Sequence, residues 1–242
     1  MGAICAAGLI VLIGLAAIRP VARFAAFVIA AAWTALIFGI AALGGFAPGV
    51  TGPFPGPVVA FLVLMIGGLV AWMAWPAFRN AFLSLPLAGL AGINAFRIGG
   101  ICFLILHDRG RLAAPFAFSA GWGDIITGLA AIPLAGMAAW KGKLPRGLLT
   151  VWNVFGALDL IVAILLGALS APGTPFRLFP QAPGTVVMGT LPWVVVPTLL
   201  VPLYLMSHLA IAVRLRSAGL GRATAPGQVD NRPQDTLTRM AA

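Results

Sequence analysis

Seven apolar runs, each close to the length that crosses a bilayer, leave this chain one broad fold. They read approximately 2–18, 24–46, 58–78, 84–106, 121–140, 147–169 and 190–213. A helix needs about 20 apolar residues to cross a hydrocarbon core of about 30 Å. Of the 242 residues, 61% are hydrophobic and 8% charged, and Glu is absent. Soluble domains carry about 25% charged residues, so a water-soluble fold has too little polar surface to cover this chain. The expectation is an all-α polytopic membrane protein, a seven-helix bundle over residues 1–216 with a disordered cytoplasmic tail at 217–242. The tail is polar, with Pro, Gly, Gln and Asn and no apolar period.

The first run is short enough to suggest a signal peptide. It lacks a basic start and a clean small-residue cleavage site before Arg19, so a retained helix is expected. Lys and Arg set the orientation. Arg19, Arg23, Arg79, Lys141, Lys143, Arg146, Arg214, Arg216, Arg222, Arg232 and Arg239 fall on one side, eleven in all, against Arg109, Arg111 and Arg177 on the other. By the positive-inside rule the N-terminus lies outside and the C-terminus in the cytoplasm. The net charge of +10 is spread between apolar runs, as topology requires, and does not form a nucleic-acid footprint.

The connections are uneven. The Gly- and Pro-rich loop Ala47–Pro57 faces outside, as does Ser170–Gly189. The apolar stretch Leu112–Ala120 is too short to cross and is expected to lie in the interface or to re-enter. Trp122 and Trp140 bracket the fifth run and read as interfacial anchors. Gly92, Ala95 and Gly99 on one face of the fourth run permit close helix packing.

Two charges interrupt the apolar runs. Arg97 sits midway along the fourth and Asp159 midway along the sixth. A charge at membrane depth costs roughly 2.5–3.5 kcal/mol on insertion scales, so each needs a partner or a purpose. Arg97 is about nine residues from the outer end of its run and Asp159 about ten, which puts both roughly 15 Å deep at 1.5 Å per residue. Opposite charges at matched depth are natural partners. One reading is a closed ion pair that fixes helix packing. The other is a pair lining a cavity for a small polar or anionic ligand.

Asp124 opens the fifth run. It reads either as an N-cap for Ile126 or Thr127 or as a carboxylate at the outer mouth of a cavity floored by Arg97. Asn94 and Asn153 are candidate binding residues, although buried amides in membranes more often bond one helix to another. Trp152, Phe155 and Asp159 form a stripe. Pro197, Val201, Tyr204 and His208 share a face of the last run, with His208 near its cytoplasmic end. The triplets Asn94-Ala-Phe96 and Asn153-Val-Phe155 echo one another too briefly to define a repeat.

Several chemistries lack their residues. His107 and His208 fall at opposite membrane edges, which is wrong for a bis-histidine haem. No Lys lies within a run to hold retinal. There is no P-loop, nucleophile elbow or zinc-binding pattern, and no cofactor is expected. The candidate functions are a small permease or channel-like protein, a non-catalytic accessory or sensor module, and, third, a lipid-modifying enzyme.

The stretch from Arg97 to His208 resembles a family of uncharacterised bacterial inner-membrane proteins. The resemblance lies in Gly-Trp-Gly-Asp at 121–124, Trp-Asn-Val-Phe-Gly-Ala-Leu-Asp-Leu at 152–160, Ser-Ala-Pro-Gly at 170–173, Leu-Pro-Trp at 191–193 and Leu-Val-Pro-Leu at 200–203. It implies a multi-spanning bacterial inner-membrane protein and carries over no catalytic residue.

Overall fold

The computed structural model describes residues 20–141 and 144–223. Among the described residues seven helices follow one another: α1 (Pro20–Ala42), α2 (Gly56–Ala74), the short α3 (Pro76–Ser84), α4 (Leu87–Asp108), α5 (Ala114–Lys141), α6 (Arg146–Leu169) and α7, which starts with a π turn at Val196–Leu200 and continues as Val201–Ala223. Six of these, all but α3, are long and apolar enough to cross a membrane. No strand occurs among the described residues. The run at 2–18 lies outside the described residues, as does most of the expected tail, residues 224–242; α7 itself continues to Ala223.

Proline and glycine punctuate the helices. Pro76 begins α3, and Pro86 and Pro145 immediately precede α4 and α6. At these positions the missing N–H costs nothing and the fixed φ suits the first turn. Gly44 and Gly110 end α1 and α4 in the left-handed region, at φ 72° and 64°. After Gly110, Arg111 N donates to Leu106 O and Gly110 N to His107 O, both at 2.8 Å; Gly45 and Gly44 repeat the pattern on Ile40 and Ala41. These paired bonds satisfy the last carbonyls of each helix.

The expected boundaries need three corrections. Leu112–Ala120 does not re-enter: Ala114–Ala120 forms the first two turns of α5 and runs on into the rest of the helix, with Pro115 at the second helical position, where proline is tolerated. Trp122 therefore lies eight residues inside α5, and only Trp140 stands at a helix end. The last span begins at Val196, not at 190, since residues 186–195 are taken by a 3-10 turn and irregular chain. The span also runs on past 213, to Ser217, and the two changes together bring His208 from the edge of its span to near the middle.

α5 and α7 form the centre of the bundle. α5 packs along α4 and α6, and α7 is the most enclosed of the spans. The α4–α5 approach is close enough that a Cβ on Gly128 would stand 2.6 Å from Ile98 N, and one on Gly100 would stand 2.6 Å from the Asp124 Cβ. Gly92 faces Ala135, so the close face of α4 runs through Gly92 and Gly100. α1 and α2 lie at the periphery and present Ile29, Val63 and Ile66 outward, as lipid-facing helices do.

α7 is broken where it is most enclosed. Pro202 has no N–H for the carbonyl of Thr198, four residues back. Trp33 of α1 supplies the missing donor, its indole Nε1 lying 2.9 Å from Thr198 O. One end of the bundle gathers cations on carbonyls. Arg146 Nη2 donates to Leu215 O at 2.6 Å, and Arg214 Nη2 donates to the carbonyls of Leu83 and Leu85 at the C-terminal end of α3.

Candidate charged centre

Arg97 sits in the middle of α4, where Ile93–Gly100 winds as a 3-10 helix between two α segments. Asn94 contributes to the tightening. Its Nδ2 donates to Leu90 O at 3.0 Å, the carbonyl that the backbone N–H of residue 94 would engage in a regular α-helix. Asn94 Nδ2 also reaches Ser207 Oγ on α7, at 3.1 Å. The residue thus joins α4 to α7 and does not touch Arg97's carboxylate partners.

The guanidinium is fully enclosed and engaged on three sides. Nε donates to Asp124 Oδ1 at 2.7 Å, and Nη2 donates to Asp159 Oδ2 at 2.5 Å. Nη1 donates to Gly156 O at 3.0 Å and lies 3.4 Å from His208 Nε2. The Tyr204 ring centroid is 5.8 Å from Arg97 Cζ, within cation–π range. One cation therefore serves two carboxylates, one from α5 and one from α6. Buried charges persist when they are both paired and hydrogen-bonded, and Arg, with its planar five-donor fork, suits that role.

Four glycines create the room. Gly156 exposes the carbonyl that Arg97 uses, and a Cβ there would press within 2.7 Å of the His208 ring. A Cβ on Gly123 would overlap the Asp159 carboxylate, while Gly100 and Gly128 let α4 and α5 touch along their backbones. Small residues in membrane helices generally serve close approach; here the approach carries three charges into contact.

His208 stands against Arg97 and is held by Asn153. His208 Nδ1 lies 2.9 Å from Asn153 Oδ1, and Asn153 Nδ2 donates to His208 O at 3.2 Å. An amide oxygen only accepts and a guanidinium only donates. The ring therefore carries its hydrogen on Nδ1 and turns a lone pair at Nε2 toward Arg97. Trp152 packs on the imidazole, ring centroids 5.2 Å apart, and its Nε1 donates to Thr127 O at 3.1 Å.

The sequence-based candidates divide clearly. Arg97, Asp159 and Asp124 meet. Asn153 joins them through His208, and Asn94 through Ser207, the residue beside His208. Asp124 is not an N-cap, because α5 begins ten residues before it. It is also not at a cavity mouth. Phe155 leaves the expected stripe and faces outward, whereas Trp152 and Gly156 point in. His208 is the site residue that run boundaries concealed, although the inward face it shares with Val201 and Tyr204 holds.

A cavity of about 80 Å³ leads from one end of the bundle to this centre. Its outer part lies under the Ala47–Pro57 loop. Its walls descend past Phe103, Phe116, Ala120 and Ala163, and it ends on Asp124. Arg97 and Asp159 do not line it. The side-chain exposures agree, at 14% for Asp124, 7% for Asp159 and 0% for Arg97. The cavity thus meets a carboxylate, with the guanidinium behind it. Among the described residues, no three His, Cys, Asp or Glu side chains gather as metal ligands would.

No curated protein and no solved structure matches this chain. A family described as a domain of unknown function, DUF8737, matches residues 54–216. That stretch holds α2 to α6, most of α7 and every member of the charged centre, and the chain belongs to this family.

Proposed function

We propose that the protein is a small permease or channel-like membrane protein in which Arg97, Asp124 and Asp159 form the binding centre, with Asn94 and Asn153 supporting it. The observation that carries this reading is the cavity that ends on Asp124. A purely structural ion pair has no use for a passage to one of its members. Intramembrane ionisable groups that border a cavity are the usual marks of a transport path.

The proposed placement is a bacterial cytoplasmic membrane, with seven spans, the N-terminus outside and residues 217–242 forming a cytoplasmic tail. The Lys and Arg asymmetry and the family resemblance support it. So does the gathering of α3, Arg146 and Arg214 at the end of the bundle opposite the cavity.

The test is access. Cys5 and Cys102 are replaced, and Ala163→Cys, on the cavity wall, is challenged with a membrane-impermeant thiol reagent from outside. Thr51→Cys in the outer loop is the positive control. Labelling at both positions is expected. Labelling at 51 with full protection at 163 overturns the reading.

A second reading is a non-catalytic accessory or sensor module in which the charges only fix packing. The enclosure of Arg97, with Nε, Nη1 and Nη2 all engaged, favours it. It predicts protection at 163 together with loss of folded protein when Arg97 is replaced.

A further inference from the structure

We propose that the cavity is a binding site for a small primary alkylammonium ion, with its nitrogen on Asp124 Oδ2 and its carbon chain between Phe103 and Phe116. The inference rests on the reading that the cavity is reached by solvent, and it adds the charge and size of the ligand.

The charge follows from counting. The centre holds two carboxylates and one guanidinium. In an apolar interior that leaves one negative charge to be balanced, by a bound proton or by a second cation, since unbalanced charge is costly there. An anion finds no free donor. Arg97 is fully enclosed, and its Nε, Nη1 and Nη2 already face Asp124, Gly156 and Asp159. What the cavity offers is a partly exposed carboxylate, whose Oδ1 is held by Arg97.

The walls select among cations. Hard metal ions collect about six or more oxygens. The wall around Asp124 is instead carbon, from Phe103, Phe116, Ala120, Leu160 and Ala163. Phe103 and Phe116 stand as a tilted pair with centroids 5.6 Å apart, so the cavity also has aromatic faces. Gly100 of α4 lies against Asp124, and Phe103 is three residues further along α4, about 4.5 Å of helix from the level of the carboxylate. A carboxylate at the bottom and aromatic faces above it suit an ammonium head followed by a short apolar body. Size sets the upper limit. The volume of about 80 Å³ is well below the roughly 150 Å³ of an apolar cavity that holds benzene, so the body is a few carbons long.

Binding of propylammonium, propan-1-ol and butyrate to the full chain in lipid nanodiscs tests this, read by calorimetry or ligand-observed NMR. Propylammonium alone is expected to bind. Asp124→Asn is expected to weaken it by on the order of tenfold or more, the usual worth of a charge-assisted bond. Phe116→Leu keeps an apolar wall and is expected to weaken it about threefold or more through the lost ring face. It also covers the case in which Asp124→Asn does not fold. Butyrate binding as well as propylammonium, no binding by any probe, or equal affinity in the folded variants overturns the proposal. If Ala163→Cys is labelled yet propylammonium does not bind, the ligand assignment alone falls. If Ala163→Cys is protected, the binding-site reading falls with it.

Discussion

Gly123 of α5 lies directly against the carboxylate of Asp159 on α6, so closely that a Cβ on residue 123 would occupy the carboxylate's own space. The glycine thereby holds Asp159 at Arg97, one helix further away. Sequence neighbours on α5 divide the work: Gly123 makes room for one carboxylate and Asp124 supplies the other.

Gly123→Ala should therefore act as a charge mutation. It should drive Asp159 off Arg97 and destabilise the folded protein, by up to about 3–5 kcal/mol if the pair breaks entirely. Thermal unfolding in detergent would measure it. The control is Gly136→Ala on the same helix, where a Cβ meets nothing within 4 Å; its midpoint should stay level or rise slightly. Equal midpoints for the two variants would contradict this account of Gly123.

Loss of the cation should cost more than loss of either anion. Arg97→Met leaves Asp124 and Asp159 together without a counter-charge, whereas Asp159→Asn leaves Arg97 paired with Asp124. The expected order of folded yield is Asp159→Asn above Arg97→Met. The triple variant Arg97→Met, Asp124→Asn, Asp159→Asn should recover part of the loss, since removing a whole buried ionic cluster is milder than orphaning part of it. Yield by fluorescence-detected size exclusion reads this directly, and a triple variant no better than Arg97→Met would be the contrary result.

His208 and Asn153 should be strongly coupled. Their side chains share one hydrogen bond and Asn153 also holds the His208 carbonyl. A double-mutant cycle with His208→Phe and Asn153→Leu should give a coupling of about 1 kcal/mol. Arg97 keeps its bond to Gly156 O in each variant, so the ion pairs are expected to survive. Strict additivity in the unfolding measurements would show that the two side chains are not partners.

Trp33 should matter through its N–H more than through its ring. Trp33→Phe keeps an aromatic ring against α7 but leaves Thr198 O without the indole donor. The expected penalty is about 1–3 kcal/mol. Replacing Pro202 by Ala in that background restores a backbone N–H four residues after Thr198 and should relieve part of it. Hydrogen exchange or thermal unfolding would register both effects, and no relief in the double variant would mean that Pro202 is not the reason Trp33 is needed.

Much of this molecule was legible without coordinates. Run length and composition specify helices that can cross a membrane, because an apolar chain in lipid must satisfy its backbone within each segment. Depth, which is residue count times a fixed rise, brought Arg97 and Asp159 to one level. Other features resisted. Leu112–Ala120 read as a separate apolar stretch too short to cross, which started the fifth run at 121 and turned a mid-helix Asp124 into an apparent cap. The last run was started too early, at 190, and ended too early, at 213 before Arg214, which left His208 at its edge.

What the sequence determined alone is therefore one-dimensional: which segments are helical, how long they are, and how deep each charge lies. The tertiary structure decided which residues meet. Helix rotation and approach place Asp124 beside Arg97, set His208 behind it and turn Phe155 away. Those depend on glycines whose missing side chains are felt only when a neighbouring helix arrives. Contact between spans is a property of packed surfaces, and a single helix read by itself has only one of the two.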